Sequence, residues 1–550
     1  MFKDNYLGLS WHPEKEEIYY ILKERSGFSL MRGAPFKAPL RMGQRPSSFF
    51  IAPKSLLYID AIDEKKQHLT LEQNGIKKIL LKSGSRLHSP FLRGDKAYVL
   101  KEGATSALYE IDLVTFKSQI LWQDDKLSLQ DLQVSSCGRW LSVQVFEKKS
   151  PLWHESQILL LEKKSSNNLS FFYGKKEYVH YHPRFSQDGD CLFYLEEGKE
   201  CSVLHRVCLK TRFKERWPLL EGFGYSENPQ KSIFAVIDSD LIVIVSQKWG
   251  RSRLILWDLK GDTRKTLPHP CSHIEAIDYQ KSTGKIVSLG ASYHIEPQLF
   301  YQDLRAPARP FLETKKALKS GGDRDWHFTF EGKKGEVHGF FYPPNGGVEK
   351  PPLVVLLHSK ITGQVCETWP EKAHKLHKMG IAVFYMNYRG SIGYGPSYRR
   401  SADGLFGLLE GEDVVLGVKK LRALQKVGDK VVIWGGGLGG YAAISALWRQ
   451  KGFFQGAIGV FPPLGGEYDL TCGVLDKLKK EHMVSKVALF LSEGICAEKK
   501  AALSSLQKTL SKDHFFLHFF KGKENRFLTD ECFYDYEKKV FQFLKECFQT

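Results

Sequence analysis

The chain has no run approaching the roughly eighteen consecutive apolar residues of a membrane span. Its first residues, MFKDNYLGLSWHPEKEE, contain no apolar h-region, so no secretory signal is expected there. Cysteine is sparse and unpatterned: the ten cysteines form no CxxC pair. Cys191, Cys201 and Cys208 come nearest to a cluster, and their spacing fits no common zinc site. Reduced, mostly buried thiols in a cytoplasmic protein are the expectation, with no metal and no cofactor. Acidic charge is also in deficit, with 62 Asp+Glu against 80 Lys+Arg and a net charge of +18. The lysines are scattered in isolated pairs such as Lys65-Lys66, Lys77-Lys78, Lys148-Lys149, Lys333-Lys334 and Lys499-Lys500, and no basic helix or tail emerges. That distribution points to a lysine-rich, solubilising surface and away from a nucleic-acid partner.

What is present suits a globular protein of more than one core. The 550 residues are 42% hydrophobic and 13% aromatic, a balance that excludes disorder and predicts two domains. Helical periodicity is nearly missing from residues 1–315. Short strands and turns recur there about every forty to fifty residues, as in GLSWHPEKEEIYYILKE from Gly8, DLQVSSCGRWLSVQVFE from Asp131, HYHPRFSQDGDCLFYLEE from His180 and AIDYQKSTGKIVSLGAS from Ala276. Weaker starts near Ser48, Ser89 and Ser232 bring the count to about seven, the pattern of an all-β propeller. The charged, glycine-containing stretch over residues 316–325 reads as a linker. From residue 326 to 550 strands alternate with helices, and segments such as PLVVLLH and KVVIW are almost continuously apolar. A mostly parallel sheet covered on both faces follows, the α/β, doubly wound class.

Inside the second half, Lys430 to Trp448 read KVVIWGGGLGGYAAISALW. Gly435, Gly437 and Gly440 satisfy GxGxxG, yet the next strand ends in prolines where a ribose-binding acid belongs, and the turn lies far from the start of the domain. A phosphate-binding P-loop is excluded because Tyr441 stands where the lysine is required. A nucleophile elbow is the remaining reading, a sharp strand-to-helix turn in which small residues relieve crowding around the nucleophile. The tip of that turn is Gly437, which has no side chain.

Three ordered motifs, MNYRGSIGYG (Met386 to Gly395), GLFGLLEGEDVVLGVKKL (Gly404 to Leu421) and GDKVVIWGGGLGGYAA from Gly428, resemble the catalytic domain of the prolyl oligopeptidase family, most of all its acylaminoacyl-peptidase branch. The resemblance spans about residues 335–543 at the level of motifs and residues 1–315 in architecture alone. It implies a β-propeller followed by an α/β-hydrolase domain with a serine-peptidase site. The family's catalytic serine then falls on Gly437. Its aspartate falls at or near Ile495 in FLSEGICAEKK, with Glu493 and Glu498 out of register, and its histidine falls on Asn525 in FKGKENRF. The family's HGGP turn is replaced by His358-Ser359-Lys360-Ile361, which leaves the Leu438 N–H as the one oxyanion donor in its expected place. Tyr388 and Tyr394 would bound the pocket. Loss of a whole triad removes several powers of ten in rate, so the expectation is an inactive homologue whose cavity between the domains binds a peptide or a protein partner. A working peptidase or esterase with relocated groups, and a scaffold acting through the propeller rim and basic surface, are the alternatives. His374 and His377 lie one helical turn apart without a third ligand, and they read as a solvated face. Cys366 and Cys472 have no base in sight, and the strand FFLHFFKG reads as buried.

Overall fold

A computed structural model describes residues 5–24, 27–34, 40–41, 46–63, 66–148, 155–164, 168–198, 201–219, 222–223, 231–304, 306, 308–310, 326–333, 335–360, 363–402, 405, 407–464, 485–510, 514–521 and 530–549. The chain divides into two compact units, Met1–Lys319 and Ser320–Thr550. The expected linker at 316–325 falls outside the described residues. Among those residues, no helix is long and apolar enough to cross a membrane, and the nine cysteines present are all free.

The first unit is a seven-bladed β-propeller, each blade a small antiparallel sheet of consecutive strands. Its innermost strands are Asn5–Trp11, Pro46–Ala52, Arg86–Arg93, Leu127–Val134, Val179–Phe185, a split pair Gly222–Phe223 and Phe234–Val236, and His273–Gln280. The middle strands are buried on both sides because blades stack face to face. The core between the first and last blades, for example, joins Leu9, Trp11 and Ile18 to Val287, Leu289 and Leu299. Outer strands such as Thr263–Leu267 and Ile76–Ser83 are largely exposed. The unbroken innermost strands all carry a register shift against their neighbours. At Ser89, Asp131 and His182 the bulged residue has φ of 52°, 54° and 51°. A bulge bends the strand and re-aims its side chains, and here the bulges recur on the strands that line one central cavity. The ring closes without a shared blade. Trp11 N–H donates to Asp278 Oδ2 at 2.8 Å, and Gln280 Nε2 donates to the carbonyls of His12 and Lys15 at 2.5 and 2.7 Å.

The second unit is built on one eight-stranded sheet. Its strands are β1 (His327–Gly332), β2 (Gly335–Tyr342), β3 (Leu353–Leu357), β4 (Ala382–Asn387), β5 (Val431–Gly436), β6 (Gly456–Val460), β7 (Lys486–Ser492) and β8 (Phe515–Phe520). Their order across the sheet is 1-2-4-3-5-6-7-8, with β3 to β8 parallel and β1 and β2 antiparallel. Every residue of β3, LVVLL, is buried, as a strand covered on both faces requires. Each such side chain contributes roughly 1.5–3 kcal/mol of transfer free energy. The described helices are α1 (Glu371–His377), α2 (Pro396–Arg400), α3 (Leu409–Ala423), α4 (Gly437–Arg449), α5 (Ala497–Thr509) and α6 (Asp530–Gln549). Helix α3 carries Glu410 and Glu412 in its first turn and Lys420 and Arg422 in its last, the arrangement its dipole favours. The strand order and connectivity are those of an α/β-hydrolase. FFLHFFKG is less enclosed than its composition suggests: β8 is an edge strand whose central residues are only half-buried.

Candidate active site at the strand–helix elbow

The glycine run occupies the point where β5 turns into α4, as the elbow reading requires. Gly437 is the first residue of α4 and has φ of +50°, the left-handed backbone that a nucleophile elbow imposes on its tip. The flanking glycines answer to close packing. A Cβ on Gly439 would stand 2.4 Å from the His358 carbonyl oxygen, so β3 and α4 can approach only if that position is glycine.

The strand-end segment His358–Lys360 closes over the tip. A Cβ built on Gly437 would meet the Ser359 carbonyl oxygen at 2.9 Å. That same carbonyl accepts the Leu438 N–H at 3.1 Å. The Leu438 N–H, to which the resemblance assigns an oxyanion role, is therefore already engaged, and the space beside Gly437 holds a backbone oxygen. Ser359 itself is exposed.

His358 is tied on both ring nitrogens. Nε2 lies 2.8 Å from Ser391 Oγ, and Nδ1 lies 2.7 Å from the Lys360 carbonyl and 2.9 Å from the Tyr388 hydroxyl. The two rings stack with centroids 4.1 Å apart. Burial pushes the imidazole down to about 3, so it is neutral at physiological pH. Ser391 Oγ donates to the Tyr388 carbonyl at 2.6 Å and is wholly buried.

The turn bearing Tyr388 is fixed by an ion pair beneath it. Arg389 and Asp413 are 1% and 0% exposed. Arg389 Nε and Nη2 donate to the two carboxylate oxygens at 3.0 and 2.6 Å, and the Arg389 N–H adds a third bond at 3.1 Å. Burial raises the Asp413 carboxyl in spite of these donors. Tyr394 does not face the elbow's histidine: it stacks on His338 at 4.7 Å and its hydroxyl accepts Asn387 Nδ2 at 2.9 Å.

The remaining sequence candidates are placed apart or undescribed. Ile495 lies in the turn after β7, partly packed against the hydrophobic core, and Glu493 and Glu498 nearby are exposed. Asn525, Ile361 and Cys472 fall outside the described residues. His518 sits on β8 and pairs with Asp535 of α6 at 3.4 Å. Cys366 Sγ points to Gln364 Oε1 at 3.7 Å. The pair on α1 departs from the expected solvated face: His377 is buried and contacts the Tyr342 carbonyl at 3.2 Å, while His374 packs on Trp369 at 4.2 Å. An amphipathic helix laid against β4 buries one of its two histidines. Among the described residues, no three His, Cys, Asp or Glu side chains are grouped to hold a metal.

Sequence reasoning missed Ser391, Asp413 and Glu410. Asp413 and Glu410 lie on a helix whose acids read as surface charge. Their burial was not readable from the residues: GEDVV sets Asp413 beside the apolar positions 414 and 415, which an exposed acid would share. Glu410 is fully buried, accepts the Gly407 N–H at 2.6 Å, and is pushed up to about 8 by burial.

Residues 370–467 match the sequence model of the prolyl oligopeptidase family. Over the whole fold the chain resembles a puromycin-hydrolyzing peptidase of Mycobacterium tuberculosis, with 15% identity, a TM-score of 0.84 and coverage of 98% of this chain and 94% of that one. A crystal structure of puromycin hydrolase gives 16%, 0.83, 99% and 95% in the same terms. The acylaminoacyl peptidase of Pyrococcus horikoshii gives 15%, 0.67, 94% and 91%. The matched segment runs from the approach to α1, through the NYRG turn and the elbow, to just past β6, and over it the chain is similar to the prolyl oligopeptidase family.

Proposed function

We propose that this protein is a catalytically inactive relative of the prolyl oligopeptidases, which binds a peptide or a protein partner without cleaving it. The observation that carries the reading is the elbow. Gly437 offers no nucleophile, the Ser359 carbonyl fills the position its side chain would take, and the Leu438 N–H is spent on that carbonyl. An oxyanion hole acts by donors held ready for developing charge, and a donor already bonded to a backbone oxygen must first give that bond up. The substitutions at Ile495 and Asn525 support the same reading on sequence grounds. The nine free cysteines suit a reducing, cytoplasmic setting.

A fluorophosphonate probe, run beside aminoacyl and acyl-peptide substrates on purified protein, tests the proposal. No labelling and no turnover above buffer are expected, and specific labelling of the native protein sinks it. One observation favours a relocated nucleophile: Ser391 Oγ is 2.8 Å from His358 Nε2. Its hydroxyl is wholly buried and committed to the Tyr388 carbonyl, so a substrate carbonyl cannot reach it without opening the turn. If labelling does occur, its loss in S391A identifies this second arrangement.

A further inference from the structure

The seven innermost strands of the propeller enclose a cavity of about 300 Å³, within the size range of small-molecule sites. Its wall is mixed, more polar than apolar, with phenylalanine rings forming an apolar part. Phe49, Phe50, Phe91 and Phe185 line it, with the Phe50 and Phe91 rings 4.3 Å apart. Three charged side chains also line it, Asp131, Arg184 and Asp278.

Arg184 pairs with Asp131, and Asp278 stands apart from that pair. Arg184 Nη1 donates to both oxygens of Asp131 at 2.9 Å and to the Pro183 carbonyl at 2.6 Å, and Nε donates to Ser232 Oγ at 3.3 Å. Its Nη2 has no hydrogen bond among the described residues, and the side chain keeps 13% of its surface accessible. Asp131 is 2% exposed and takes a further contact from His182 Nδ1 at 3.1 Å, so this ion pair is closed on the carboxylate side and open on the guanidinium side. Asp278 accepts the Trp11 and Tyr279 N–H groups at 2.8 and 2.9 Å. No Lys, Arg or His among the described residues lies within ion-pair distance of it. A partly enclosed carboxylate satisfied only by neutral donors is a strong attractor for a cation.

We propose that the propeller cavity is a binding site for a zwitterionic ligand, an α-amino acid or very short peptide with an apolar side chain. The ammonium faces Asp278, the carboxylate faces Arg184 Nη2, and the side chain lies among the phenylalanines. Rings supply both apolar area and an electron-rich face to an ammonium group. The site lies wholly within the propeller, so it stands or falls independently of whether the elbow hydrolyses anything.

The test is saturation-transfer NMR and calorimetry on the full chain with L-phenylalanine, phenethylamine and 3-phenylpropionate. L-Phenylalanine is expected to bind saturably, and each half-ligand at least about tenfold more weakly. Asp278→Asn should weaken L-phenylalanine by about tenfold or more while leaving 3-phenylpropionate nearly unchanged. That variant also surrenders one of the acceptor oxygens that face Trp11 and Tyr279, so its fold is checked by circular dichroism. Gln187→Trp, at a lining residue held by a long 3.4 Å hydrogen bond to the Val236 carbonyl, fills the cavity and should abolish binding of all three. No saturable binding of L-phenylalanine at about 10 mM overturns the proposal. So does phenethylamine binding as tightly as the amino acid, or affinity that survives Gln187→Trp.

Discussion

The Leu438 N–H donates to the Ser359 carbonyl oxygen at 3.1 Å. In a working elbow this N–H would await a substrate oxygen. Here one backbone oxygen both occupies the donor and crowds the position next to Gly437, which is the arrangement the proposed inactive reading rests on.

Restoring the serine alone should therefore restore nothing. In Gly437→Ser the new Cβ meets the Ser359 oxygen at 2.9 Å on a backbone with φ of +50°. A penalty of roughly 1–3 kcal/mol is expected, from strain and the displaced strand end. Fluorophosphonate labelling should stay at background and the thermal midpoint should fall. Measurable ester turnover in this single variant would mean that a base is within reach.

The Arg389–Asp413 pair is expected to matter more for stability than its position on the surface of the motif suggests. Asp413→Ala leaves a guanidinium buried without its carboxylate, at a cost of about 3–5 kcal/mol. Urea unfolding, followed by a signal from the α/β unit, should show that loss. An effect below about 1 kcal/mol, the range of exposed pairs, would contradict the burial described here.

Of the carboxyl groups that burial raises, Asp278 reaches about 6 and Glu410 about 8. Both folded values lie above the unfolded ones, so the folded state holds the extra proton and stability falls as pH rises through the interval. For Asp278 the decline runs from about pH 4 to 6, and for Glu410 from about pH 4.5 to 8. Glu410→Gln should flatten the second decline and raise the midpoint at pH 8 relative to the native protein. A native protein whose stability rises steadily between pH 6 and 8, or a Gln variant with an unaltered slope, would refute the assignment.

The propeller seam offers a separate test. Gln280 Nε2 holds the carbonyls of His12 and Lys15 across the junction of the first and last blades. Gln280→Ala removes two bonds and leaves two carbonyls to find water, a loss of about 1–3 kcal/mol. Hydrogen exchange should accelerate along Asn5–Trp11 and His273–Gln280 ahead of the other blades. Uniform protection across all seven would argue against a weak seam.

Much of this architecture was legible in the residues. The period of the propeller and the alternation in the second half are local signals, and strands such as LVVLL can only belong to a sheet covered on both faces. The elbow was legible for the same reason: five glycines in six residues from Gly435 would be ruinous in an ordinary helix start, and a crowded turn calls for them. The fate of its chemistry was partly legible, since an absent side chain at Gly437 needs no coordinates. The burial of His377, Asp413 and Glu410 was not. Polar residues on a helix read as surface until the neighbouring strands are placed, and periodicity does not say which of two flanking faces is covered.

The sequence alone thus determined the two kinds of domain and the empty tip of the elbow, because both depend on residues a few positions apart. Tertiary structure decided the rest. The Ser359 carbonyl meets Leu438 across 79 positions, Arg389 meets Asp413 across 24, and Trp11 meets Asp278 across 267. Such pairings arise when distant segments close on one another, and a backbone carbonyl, which every residue carries, leaves no mark in the sequence to announce where it will point.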